Sequence, residues 1–148
     1  MDALLAGPPS DDVALLLART CALPPEKVVT WEIPADAEHV ARARELAAEQ
    51  MRVWRLDEAS FITELVVSEL VTNAIRYGGP PIQLRLIHNS SLICEVSDSS
   101  STAPHLRRAR VTDEGGRGLL LVAQLTQRWG TRYSAAGKTI WCEQTLPG

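Results

Sequence analysis

Three side chains in one stretch are of the kinds that handle metal-bound phosphate or move protons. Within "FITELVVSELVTNAIRYGG" (Phe61–Gly79), Glu69, Asn73 and Arg76 interrupt an otherwise almost uniformly apolar run. Steps of four and then three residues put them on one stripe of a helix. The first half of that stripe carries Ile62, Leu65 and Val66, so the polar groups replace core residues at one end of an inner face. Burying a carboxylate without a partner costs several kcal/mol. Two readings follow. Arg76 can pair with Glu69 two turns away, as a structural ion pair. Alternatively, this end of the helix forms a ligand pocket, with Asn73 as a neutral oxygen donor suited to Mg2+ and Glu69 as a base.

Two further segments bear on the choice. "EVSDSS" sets Asp98 just past an alternating strand, where an aspartate ordinarily serves a turn. "DEGGRGLLLV" sets Gly115, Gly116 and Gly118 at the start of an apolar helix. Glycines there free backbone N–H groups to wrap anion oxygens, and a helix N-terminus favours negative charge. They also suit a merely flexible entry to a helix.

The elements that must position these groups can be read from periodicity. Val29, Trp31 and Ile33 alternate with polar residues, the strand period, and Pro34 ends the run. Val40, Ala43, Ala47, Met51 and Trp54 recur at helical steps, predicting a helix from Asp36 or Ala37 to about Leu56. Asp57 reads as the N-cap of a second helix reaching Tyr77, closed by Gly78–Gly79. That helix is apolar in nearly every direction, which predicts burial on most sides. "PIQLRLIH" and "SLICEVSD" predict a hairpin across "HNSS", and a long polar loop runs from Ser99 to about Glu114. "RGLLLVAQLTQRWG" predicts a third helix, and "RYSA" with "KTIWCEQTL" a last hairpin across "AGK". The order β-α-α-β-β-α-β-β predicts a two-layer α/β (α+β) sandwich, with a mixed, mostly antiparallel sheet covered on one face by three helices.

The 148 residues fit one ordinary domain, and a 45% apolar share supplies a real core. A net charge of −3 argues against nucleic acid as a partner. The cysteines Cys21, Cys94 and Cys142 lie far apart without a CxxC spacing, which predicts buried thiols in a reducing, cytoplasmic setting. No signal peptide and no membrane span is predicted. "LPPE" (Leu23–Glu26) reads as a linker, so the boundaries fall at 1–22, 23–27 and 28–148.

Taken in order, the helix with "SELVTNAIRYG", the strand-ending Asp98, the loop with "GGRG" and the late strand with "GKTIW" resemble the Bergerat-fold ATP-binding domain of the GHKL group. Gyrase, heat-shock chaperones and histidine kinases share that domain. The resemblance runs from about Val28 to Leu146 and is greatest to anti-sigma-factor serine kinases of the actinobacterial kind. It implies ATP and Mg2+ as cofactors. Asn73 would coordinate Mg2+, Glu69 would be the base, and Arg76 would lie near the phosphates. Asp98 would accept the adenine amino group, with Thr139 supporting that contact through water. Gly116 and Gly118 would line the phosphate side beneath a lid formed by the loop. The implied partner is an anti-anti-sigma (STAS) protein, with a sigma factor as a further candidate. Pairing of two copies would use the first strand and helix, near Trp31 and Trp54, although core packing is the simpler role for both. In one respect the chain departs from the family: Asp98 is followed by "SSSTAP", where a glycine-rich box is usual.

At the front, "SDDVALLLART" resembles the last strand of metal-dependent (PPM-type) serine/threonine phosphatases, with Asp11 at a metal-ligand position. The implied polypeptide is a phosphatase–kinase fusion, with residues 1–22 as the phosphatase remnant. Two functions stay open: an ATP-dependent serine kinase, and a nucleotide- or partner-binding module that regulates the adjoining phosphatase without transferring phosphate. A histidine kinase would need a dimerising helix with a phospho-accepting His before the domain. His39 reads instead as a surface residue.

Overall fold

The structure, a computed structural model, describes residues 22–100 and 114–146, with α3 side chains described from residue 117 onward. The elements are β1 (Val28–Ile33), α1 (His39–Val53), α2 (Asp57–Tyr77), β2 (Ile82–His88), β3 (Ser91–Asp98), α3 (Glu114–Leu125), β4 (Arg128–Ser134) and β5 (Gly137–Thr145). The predicted order holds. The strands form one five-stranded sheet in the order β1-β2-β3-β5-β4. Every neighbouring pair is antiparallel, so the sheet is not mixed. Each of the two hairpins needs only a short turn, whereas reaching β5 from β3 takes the chain through α3 and the edge strand β4.

Alternation decides which residues meet the helices. Val29, Trp31 and Ile33 stand opposite Leu86, Leu84 and Ile82 in register. With Cys94, Val96, Ile140 and Cys142 they form the sheet's half of the core. The helical half comes from Ala43 and Ala47 of α1, Val66, Val67, Leu70, Val71 and Ala74 of α2, and Val122 of α3. The two alanines of α1 let its backbone lie close to α2. Trp31 and Trp54 both pack against this core. Cys94 and Cys142 are cross-strand partners and fully buried free thiols. A hydrogen bond to Cys142, and then burial, push the Cys94 thiol well above its ordinary pKa, so the pair packs as small apolar groups. Cys21, the proposed phosphatase remnant with Asp11, and most of the long loop lie outside the described residues.

Several boundaries differ from expectation. Asp57 is not the N-cap: Leu56 holds that place without a side-chain cap, and Asp57 begins the helix, where its charge favours the N-terminal dipole. The first helix starts later, at His39, because Asp36 makes a turn ahead of it and accepts the Glu38 and His39 N–H groups. His39 itself is half-buried rather than on the surface. The third helix stops at Leu125, and Arg128, Trp129 and Gly130 belong to β4. There, pairing with β5 overrides a weak helical pattern. The second helix, expected to be buried on most sides, leaves Phe61 71% exposed near its N-terminal end. The segment read as a linker forms a 3-10 turn, Pro25–Lys27, tied down by the Trp54 indole N–H on the Glu26 carbonyl at 2.8 Å.

The far face of the sheet is held by charge. Glu95 lies between Arg85 and Arg132, and Glu143 accepts from Arg128 and from the Ser91 hydroxyl. The Ser91 bond and then Arg128 hold the Glu143 carboxyl below its ordinary pKa.

Leu70 is fully buried at the centre of the core, so Leu70→Ala is expected to lower stability by about 2–5 kcal/mol in urea unfolding. A smaller loss means that the α2–sheet contact is not the main core. The depressed Glu143 pKa contributes stability that is present above the usual glutamate range and lost as pH falls through the folded value. Ser91→Ala should therefore destabilise at neutral pH, with the gap to wild type closing as the medium becomes acid. A gap that stays constant over that range contradicts the assignment.

Candidate functional site

Glu69, Thr72, Asn73, Arg76 and Tyr77 of α2 line one cleft together with Gly118 and Leu119 of α3. Helical spacing of four and three residues sets the first stripe, and the packing of α3 against α2 builds the second wall. The cavity measures about 20 Å3, room for roughly one water molecule or small ion. Glu69 and Asn73 are half-buried and Arg76 is exposed. Glu69 and Arg76 are too far apart for an ion pair, and neither pairs with any other described residue. The structural ion pair is thus absent among the described residues, and three polar side chains of complementary chemistry face one gap.

Gly118 is what lets the helices approach. A Cβ at this position would overlap the Glu69 carboxylate. The helix backbone therefore stands directly against the acid, within the second turn of α3. Gly116 falls in the first turn of the same helix.

Asp98 does not line the cleft. It ends β3 on the helix-facing side, where its side chain is 1% exposed. The carboxylate lies against the Cα of Gly78, just past the C-terminus of α2, and a Cβ there would overlap it. Its two oxygens are already engaged: Oδ2 is 3.3 Å from the Lys138 ammonium, and Oδ1 accepts the Ser100 N–H at 2.8 Å. Gly137 has φ +142°, and its Cα passes so close to the Asp98 carbonyl that no side chain fits. Thr139 does not join Asp98. It stands opposite Ser97 in register, on the far face of the sheet, and shares a 2.8 Å hydrogen bond with the Ser97 hydroxyl. The β-alternation reverses the side of each successive residue, so the residue that reaches Asp98 is Lys138.

Sequence reasoning missed Thr72, Tyr77, Gly78 and Lys138. Thr72 and Tyr77 had a signal, since they lie three residues after Glu69 and four after Asn73. The Lys138 contact had none, because it depends on the register of β5 against β3.

The sequence from 33 to 143 matches the family of histidine kinase-like ATPase domains. The chain belongs to that family. It is thus an ATP-binding, histidine kinase-like ATPase domain of GHKL type. No curated protein matches this ATPase domain. Among solved structures it is similar to the histidine kinase domain of the blue-light activated histidine kinase EL346 from Erythrobacter litoralis, at 18% identity and a TM-score of 0.49. The likeness covers 74% of this chain and 60% of that one, so the ATPase domain spans less than two thirds of that relative's length.

The residues fit the metal and phosphate end of a nucleotide. Asn73 offers a neutral oxygen, Arg76 an exposed guanidinium, and Glu69 a carboxylate without a described partner. No group of three or more His, Cys, Asp or Glu among the described residues is placed to cage a metal. Asp98 stands apart from Asn73, Arg76 and Glu69, because it is sealed. A wider groove at the opposite end of α2, about 420 Å3, is lined by Glu58, Ile62, Gln124 and Gln144 and holds none of the polar stripe. No helix among the described residues is long and apolar enough to cross a membrane.

Ala is favoured over Gly inside a helix by about 0.8–1.0 kcal/mol. Gly118→Ala should show that gain only in a Glu69→Ala background, and should lose or reverse it when the carboxylate is present. A double-mutant cycle by thermal unfolding reads the coupling. Equal effects in both backgrounds would mean that Gly118 and Glu69 are not in contact.

Proposed function

We propose that this ATPase domain binds Mg2+–ATP across the α2–α3 cleft and transfers the terminal phosphoryl group to a hydroxyl of an anti-anti-sigma (STAS) protein. The observation that carries this is the half-buried stripe of Glu69 and Asn73, continued by Arg76, which faces Gly118 without a partner among the described residues. Bound Mg2+–ATP supplies the transferable phosphoryl group and part of its charge neutralisation. Asn73 binds through its amide oxygen. Arg76 offsets phosphate charge. Glu69 orients the incoming hydroxyl and takes its proton on a carboxylate oxygen, as the hydroxyl oxygen bonds to the terminal phosphorus and the bond from that phosphorus to ADP breaks, with ADP leaving. Phosphoryl transfer asks a protein mainly for this positioning and neutralisation.

The same reading keeps a sigma factor as a second partner, a homodimer through the β1–α1 side, a cytoplasmic setting, and an adjoining PPM-type phosphatase as the regulated neighbour. A second reading is favoured by one observation, the sealed state of Asp98. In that case the domain is a regulatory nucleotide- or partner-binding module that transfers nothing.

Glu69→Gln is expected to leave Mg2+–ATP affinity within a few-fold and to slow phosphate incorporation into the STAS partner by ~10²–10⁴-fold. Transfer at the wild-type rate would remove Glu69 as the base. Nucleotide binding by wild type with no transfer at all would select the module.

A further inference from the structure

The chain contains two lysines, Lys27 and Lys138, among 15 basic residues. One of the two, Lys138, is buried at 3% exposure, with its ammonium on Asp98. Backbone geometry builds this contact. Gly137, at positive φ, brings the start of β5 against the Asp98 carbonyl, and Gly78 leaves space for the carboxylate. Register then places Lys138 beside Asp98 and Tyr133 beside Lys138, on the helix-facing side. Tyr133 is half exposed, so the row runs from a sealed acid to solvent.

We propose that Lys138 is the resident occupant of the base seat: its ammonium holds the place on Asp98 that a purine amino group would take, and nucleotide enters only as Lys138 gives it up. This rests on the reading of Asp98 as the base acceptor. The chemistry supports exchange rather than addition. A fully buried carboxylate with one oxygen on a backbone N–H and the other on an ammonium has no exposed site for a further donor. The ammonium cannot be left unpaired in the interior, so it must reach water as the amino group arrives, and the carboxylate is then held by two neutral donors, that amino group and the Ser100 N–H. A lysine suits this, because its flexible stem can carry a compact charge outward past Tyr133. An arginine fork would bind the carboxylate in two places and resist release. Affinity is then reduced by the small fraction of molecules in which the seat is open.

Two measurements test this. Isothermal titration with Mg2+ and a non-hydrolysable ATP analogue compares wild type, Lys138→Met and the double variant Lys138→Met/Asp98→Asn. Lys138→Met removes the competing charge but keeps the stem, and should bind about tenfold more tightly or better. The double variant should lose that gain. The second measurement uses wild type and needs no substitution. Amine acetylation read by mass spectrometry should find Lys138 protected in the free protein and reactive when the analogue is bound, with Lys27 as the internal reference. Weaker binding by Lys138→Met makes Lys138 a base contact and overturns the proposal. So does a Lys138 that stays protected in the complex, and in both cases nucleotide binding itself stands. If no variant binds the analogue, the assignment of Asp98 falls, and this proposal falls with it.

Discussion

The molecule depends on one constraint: α2 must be buried along most of its length while one stripe of its C-terminal half stays polar. Val66, Val67, Leu70, Val71 and Ala74 seat the helix on the sheet and against its neighbours. Glu69, Asn73 and Arg76 turn toward α3 instead. The cost of placing an acid and an amide there is kept down because they are half-buried rather than sealed. The cleft is therefore a direct product of core packing. Its floor cannot move without disturbing the contacts that hold the sheet, whereas its second wall, the start of α3, touches it through glycine. The side that carries the polar groups is thus fixed by the core, and the facing wall meets it through backbone.

The α2–α3 cleft and the Asp98 position obey different physics. In the cleft, polar groups stand open and uncompensated by described neighbours. Asp98 is satisfied twice over and closed off from water. Gly78, Gly137 and the β3–β5 register all contribute to that closure. The lack of glycines after Asp98, noted in the sequence, bears on the same place, because Ser100 donates its backbone N–H back to the acid. A chain that closes its own acceptor can gate a ligand through an intramolecular competitor, without a separate regulatory site.

Much of this was legible beforehand, for identifiable reasons. Strands β1 and β2 were readable because the residues facing the helices, Val29, Trp31 and Ile33 and Ile82, Leu84 and Leu86, alternate with polar residues over most of their length. The limits of α2 were readable because Gly78 stops it and Asp57 begins it, although the acid serves the helix dipole rather than the cap. The end of α3 was misplaced because Arg128–Gly130 have no decisive local preference, and pairing with β5 settles it. The exposure of Phe61 was not legible, because periodicity reports which face is apolar, not whether a neighbour covers it.

The sequence alone determined the element order, the class of fold and the polar stripe of α2, since each follows from spacing along a single segment. The tertiary structure decided what those groups meet. It set Gly118 against Glu69, sent Thr139 to the far face, and brought Lys138 to Asp98. These are contacts between segments tens of residues apart. They depend on strand register and helix approach, which no local pattern encodes, because a shift of one residue in β5 would have exchanged Thr139 for Lys138.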